Sequence, residues 1–186
     1  MKVAVFALLA ALPFAAAVPT WEGLNGRSSI GSLIPGASQI TAKGPVAKPT
    51  EVKHLTVHEP GTIGNITIKP ETRSGSPMFY INQNALWLLV NETTVYPVNI
   101  HNSTGFHELP MQLVLGKQRQ GVTAGTWRWK GTQLYYDMPG GQSNMGLYFH
   151  CLTKSGQFNT FMSPVPVAPP NGCQMMTLHS FTREYK

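Results

Sequence analysis

The chain has 186 residues, 42% hydrophobic and 12% charged, with 18 Gly, 15 Pro and a formal net charge of +6. Once a leader and a low-complexity arm are set aside, that length suffices for one hydrophobic core and is too short for two. The 14 Lys and Arg against 8 Asp and Glu favour weak association with acidic polysaccharide or anionic surfaces. They are too sparse, and without a recognised module, for nucleic-acid binding.

The chain opens "MKVAVFALLAALPFAAAVPT". Lys2, an apolar run from Val3 to Phe14 and the small residues Ala15, Ala16 and Ala17 make a basic n-region, a short h-region and a cleavage site, so residues 1–17 read as a signal peptide and the mature chain is expected to start at Val18. The apolar stretch is too short to span a bilayer, and the chain ends polar in "SFTREYK", so no membrane insertion is expected. From Val18 to Lys53 the sequence is rich in Gly, Pro and Ser, with neither helical nor alternating periodicity. Such a segment buries too little apolar surface to offset chain entropy and reads as a flexible arm, either a propeptide or an extended tail against a wall.

From His54 to Lys186 the pattern is one β domain. "HLTVH", "IGNITIK", "PMFYIN", "ALWLLV", "TTVYPVNI", "LPMQLVL", "TAGTWRW", "TQLYYDM", "MGLYFHCL", "FNTFMS" and "QMMTLHSF" are rich in β-branched and aromatic residues and bounded by turn formers. Short strands with close turns predict an antiparallel β-sandwich or barrel. Asn65, Asn91 and Asn102 each open an N-x-[S/T] tripeptide, the acceptor pattern for N-linked glycans on a secreted surface. Cys151 and Cys173 are the only cysteines, an even count that reads as one disulfide in an oxidising route. Its loop of roughly 23 residues constrains the unfolded chain by about 3 kcal/mol.

"GTWRWKGTQLYYD", Gly125 to Asp137, holds two of the four Trp and two of the six Tyr. Strand alternation sends Trp127 and Trp129 one way and Arg128 and Lys130 the other, with a turn at Lys130–Gly131 and Leu134 and Tyr136 sharing a face of the next strand. Two outcomes follow: a hairpin burying its aromatic face, or a sugar-stacking platform in which Trp127, Trp129 and Tyr136 contact a ligand. The buried hairpin is expected, because a sheet with one charged and one aromatic face buries the aromatic one. Lys117, Arg119, Arg128 and Lys130 are neighbours if the strands around "KQRQG" pair.

Catalysis finds little footing. A glycosidase needs two facing carboxylates, whereas Glu22 and Glu51 lie in the arm, Glu92 lies inside an acceptor tripeptide, and Glu59, Glu71, Glu108 and Asp137 are scattered. There is no G-x-S-x-G, and "RSGSP" reads as a turn. Of the six His, at 54, 58, 101, 107, 150 and 179, the closest-spaced pair His54 and His58 falls roughly 13 Å apart on a strand, unsuited to one metal. A non-enzymatic protein without cofactor or metal is expected.

The order of "RSGSPMFYIN", "QGVTAGTWRWKGTQLYY", "GLYFHCLTKSGQFNTFM" and "NGCQMMTLHSF" resembles the C-terminal two-thirds of fungal secreted cell-wall proteins of the PhiA type, the IgE-binding-protein-like antigens. In that family an R-S-G-S-P-like turn leads into a β domain, and a strand carrying Phe and Cys precedes an aromatic strand and a second Cys. Phe149 and Cys151, the segment Phe158 to Met162, and Cys173 occupy those places here. The chain lacks the family's extra cysteines in the middle of the domain, and the Val18 to Lys53 arm has no counterpart there. The resemblance implies a secreted wall or extracellular protein, structural or antigenic, with wall polysaccharide as its candidate partner. The alternative is a small carbohydrate-binding or effector-like module using Trp127 and Trp129.

Overall fold

The computed structural model describes residues 37–45, 51–71, 76–91, 93–102 and 110–181. The expected signal peptide and most of the expected arm lie outside the described residues. Among them the architecture is all-β, with no helix and one disulfide. The strands are β1 (Gln39–Lys43), β2 (Lys53–Val57), β3 (Gly64–Pro70), β4 (Met78–Asn82), β5 (Ala85–Asn91), β6 (Thr94–His101), β7 (Met111–Leu115), β8 (Thr126–Lys130), β9 (Gln133–Asp137), β10 (Leu147–Leu152), β11 (Phe158–Met162) and β12 (Cys173–Phe181). Eleven of them, β2 to β12, coincide with the stretches that turn chemistry and β-propensity mark out.

Hydrogen-bonded neighbours run β11–β10–β12–β1–β2–β3–β7, all antiparallel. β7 then returns to β11 through Phe161↔Gln112 and Met162↔Met111, so the circuit closes as in a barrel. One edge of β7 is shared by β11 and β3, while β6 runs along the other and leads on to β5 and β4. β4 touches the start of β1, where Ser38 and Phe79 exchange two backbone hydrogen bonds of 2.8 Å. Closure of this kind removes the free edges that make open sheets prone to pair with other chains.

The interior follows from alternation. In β7, Met111, Leu113 and Leu115 are buried while Gln112 and Val114 between them are half-buried. Ile40, Leu55, Ile66, Ile100, Tyr148 and Leu178 meet them in one core. Each such side chain contributes about 1.5–3 kcal/mol on burial.

β1 corrects the expected boundary. Composition predicts an arm reaching to Lys53, yet Gln39–Lys43 pairs along its whole length with β12 and at Thr41 and Ala42 with β2. Ile40 is fully buried and Ala42 nearly so. The strand fills the gap between β12 and β2, so the circuit runs through it. Its two inward residues are too few, and one of them too small, to produce visible periodicity amid Gly and Pro.

Candidate functional site

The hairpin β8–β9 lies off the circuit, pairing with β12 on one side and touching the β4–β5 turn on the other. Ser180 N–H donates to the Thr132 carbonyl at 2.7 Å, and Trp127 N–H donates to the Asn84 carbonyl at 3.0 Å. Its register pairs Trp127 with Tyr136 and Trp129 with Leu134, with Lys130 opposite Gln133. The turn is therefore Gly131–Thr132, one residue later than expected, with Gly131 at φ 59°. Glycine at the first central position is what a II′ hairpin turn requires.

The inner face is core. Trp127 is 4% exposed, Tyr136 1% and Leu134 0%, whereas Trp129 is half-buried against the same cluster. The Trp127 and Tyr136 rings lie 4.9 Å apart at 60°, a tilted contact worth about 0.5–1.5 kcal/mol beyond burial. The Tyr136 hydroxyl donates to the Val122 carbonyl at 3.0 Å and accepts from Gly125 N–H at 3.1 Å. Burial pushes this phenol's pKa up, against a smaller downward pull from the Gly125 hydrogen bond. Glycine at 125 is a packing necessity: a Cβ there would sit 2.3 Å from the Tyr136 ring. Trp127 and Tyr136 thus offer no open ring face for a sugar to stack on.

The outer face is satisfied from within. Arg128 grips Asp137 through Nε and Nη2, and Ser143 Oγ donates to the same carboxylate at 2.6 Å. The Arg128 guanidinium lies 4.9 Å from the Tyr135 ring centroid and the Lys130 ammonium 5.6 Å. The Arg128 hydrogen bond holds the Asp137 carboxyl below its ordinary pKa, opposed by partial desolvation and aided by Ser143. Behind the pair, the buried Asn144 accepts from Tyr136 N–H and Gly146 N–H at 2.9 and 3.0 Å, fixing the loop that carries Ser143.

Beside the hairpin, the segment 116–125 crosses β6 as a pinned loop. Gly116 N–H donates to the Pro97 carbonyl, and Val122 N–H donates to the Ile100 carbonyl. Asn99, 4% exposed in the middle of β6, donates from Nδ2 to the Gln118 carbonyl at 2.9 Å and accepts from Gln120 N–H at 3.0 Å. Gly121 has φ 76°, and a Cβ on it would lie 2.3 Å from the Ile100 carbonyl oxygen. The backbone is held while Lys117, Gln118, Arg119 and Gln120 stay exposed. Between this loop, the β4–β5 turn and β8 lies a shallow cleft lined by Asn84, Asn99, Arg119, Gln120, Thr123 and the edges of Trp127 and Tyr136. Asn84 reaches it from a two-residue turn in which Gln83 and Asn84 have φ 48° and 62°, the I′ pattern. Spacing alone missed this site, because Asn99 and Asn84 are far from "KQRQG" in sequence; the one clue was an Asn amid the apolar run "YPVNI".

The other marked residues are dispersed. Cys151 and Cys173 face each other across β10 and β12 and are disulfide-bonded, with Cα atoms 4.1 Å apart. Asn91 ends β5 exposed, its Oδ1 accepting from Thr93 N–H at 3.0 Å and from the Thr93 hydroxyl at 3.2 Å. Asn65 lies half-buried in β3 opposite Val114, and Asn102 is half-buried after β6, with Ser103 and Thr104 outside the described residues. His58 Nε2 lies 2.8 Å from Asn159 Oδ1, His54 is buried within β2, and His150 stacks on Phe158 at 4.9 Å. Among the described residues no three His, Cys, Asp or Glu side chains come together as a metal site. Glu92, His107, Glu108 and most of "RSGSP" lie outside them.

Comparison with protein-family models, with curated proteins and with solved structures finds no match for this chain.

Proposed function

We propose that the chain is a secreted, non-enzymatic protein of the extracellular space or a fungal cell wall, in the manner of the PhiA-type wall proteins it resembles, and that it associates with wall polysaccharide. The observation that supports this most is the Cys151–Cys173 disulfide, since such bonds persist in secreted proteins and are rare in the reducing cytosol. The leader-like "MKVAVFALLAALPFAAA" and the exposed acceptor Asn91 agree with that route. The net charge of +6 and the exposed cations of the 116–125 loop suit acidic wall material.

The test is recovery of the native protein from its source. Mass spectrometry is expected to find an N-terminus near Val18, hexose-bearing mass on Asn91, and the protein in the medium or wall fraction. An intact Met1 terminus on an unglycosylated intracellular chain would overturn the proposal.

The second reading, a small carbohydrate-binding module, is favoured by the cleft at 116–125. Its stacking form does not fit the burial of Trp127 and Tyr136.

A further inference from the structure

We propose that the cleft between the 116–125 loop, the β4–β5 turn and β8 binds the carboxylate of an acidic sugar, with Arg119 as its charge partner and Asn84, Gln120 and Thr123 addressing the neighbouring hydroxyls. This deepens the polysaccharide reading above and rests on it.

Four observations converge. Of the described residues lining the cleft only Arg119 is charged, so an anion meets no opposing carboxylate among them. Arg119 is tethered at one donor, its Nη2 donating to the Thr123 carbonyl at 3.4 Å, and among the described residues its other guanidinium donors make no hydrogen bond. A planar fork of that kind suits a carboxylate better than a point charge does. Thirdly, the enclosed part of the cleft has room only for a water-sized group. One oxygen of a carboxylate is of that size and a pyranose ring is not, so the sugar lies outside, over the exposed side chains. Finally, the loop is preorganised: the buried Asn99 is spent on the backbone of Gln118 and Gln120, and Gly121 stands where a Cβ would strike the Ile100 carbonyl oxygen. Holding a loop before the ligand arrives lowers the ordering cost of binding. The contrast with the hairpin is direct, since Arg128 is consumed by Asp137 whereas Arg119, among the described residues, hydrogen-bonds only to a backbone carbonyl.

Calorimetric titration of the full secreted chain with trigalacturonic acid, beside its neutral galactose counterpart, tests the site. The acid is expected to bind at least about tenfold more tightly than the neutral sugar, the effect of a single charge-assisted hydrogen bond. Arg119→Gln should remove most of that difference, and Gln120→Ala, which alters no charge, should weaken the acid several-fold. Lys154→Gln, an equal change of charge on the exposed β10–β11 turn, should leave it unaltered. Thermal melting of each variant at the parent's temperature would establish that the fold is kept. Equal losses in Arg119→Gln and Lys154→Gln, or no preference for the acid, would overturn the site. If the parent and Arg119→Gln are retained equally on isolated wall polysaccharide, the site fails while the wider function stands. If the parent is not retained on any wall polysaccharide and does not bind the acid, both fall.

Discussion

Two adjoining stretches of this chain carry the residue types that recognise sugars, and they spend them in opposite ways. In Gly125–Asp137 the backbone alternates in a hairpin, so Trp127, Leu134 and Tyr136 go into the core and Arg128 is taken up by Asp137. In 116–125 the backbone is tied down by Asn99 and two carbonyls of β6, and the side chains of Lys117, Arg119 and Gln120 are left to solvent. The lesson is that aromatic and cationic composition marks neither a core nor a site. What separates them is whether the side chain or the backbone is the part held by the fold.

That contrast is open to attack from its strongest point downward. Gly125→Ala should cost more than the next two changes, in the upper part of the roughly 1–3 kcal/mol typical of overpacking, because the new Cβ meets a ring packed on Trp127 and held at its hydroxyl. A denaturation midpoint equal to the parent's would mean that Tyr136 is not where the hairpin puts it. Asn99→Ala removes the two hydrogen bonds of the loop to the Asn99 side chain and should cost about 1–2 kcal/mol, since the freed Gln118 carbonyl and Gln120 N–H can turn to water. Its amide exchange should rise at 117–121 and not in β8 or β9. Asp137→Asn should cost less than about 1 kcal/mol, because the ion pair is partly open to solvent.

Acid acts on the hairpin through Asp137 and on β10 through His150. Asp137 has a lowered pKa, so its contribution is present above its unfolded value of 3.8 and is lost as pH falls through its folded one. His150 acts earlier. Burial first, then the nearby Lys53 and His58, hold it down to about 4 from 6.5, so the unfolded chain binds the extra proton and stability falls as pH drops from about 6.5 to about 4. The melting temperature should slope downward over that interval, and His150→Gln should flatten the slope. An unchanged slope in that variant would assign the acid sensitivity elsewhere.

Much of the fold was legible in the sequence for a local reason. β2 to β12 announce themselves through β-branched and aromatic runs closed by Gly, Pro and Asn, which are properties of neighbouring residues. The disulfide followed from a count of two. β1 was not legible, because "QITAK" makes sense only once β12 and β2 stand on either side of it. The cleft was hidden for the same reason: Asn84, Asn99 and Arg119 meet through the register of β4 with β5 and β6 with β7, and no local spacing encodes that meeting. The inward face of the hairpin was readable from period-two alternation, yet Trp129 is less buried than Trp127 because it lies nearer the turn.

Equilibrium urea unfolding of Trp127→Ala and Arg119→Gln beside the parent tests the division of labour most directly. Truncating a buried Trp should cost about 3–5 kcal/mol through lost burial and the cavity left behind, whereas Arg119→Gln should lie within about 0.5 kcal/mol of the parent as a surface substitution. A Trp127→Ala midpoint matching the parent, or an Arg119→Gln midpoint displaced as far as that expected for Trp127→Ala, would contradict the placement of Trp127 in the core and of the Arg119 side chain at the surface.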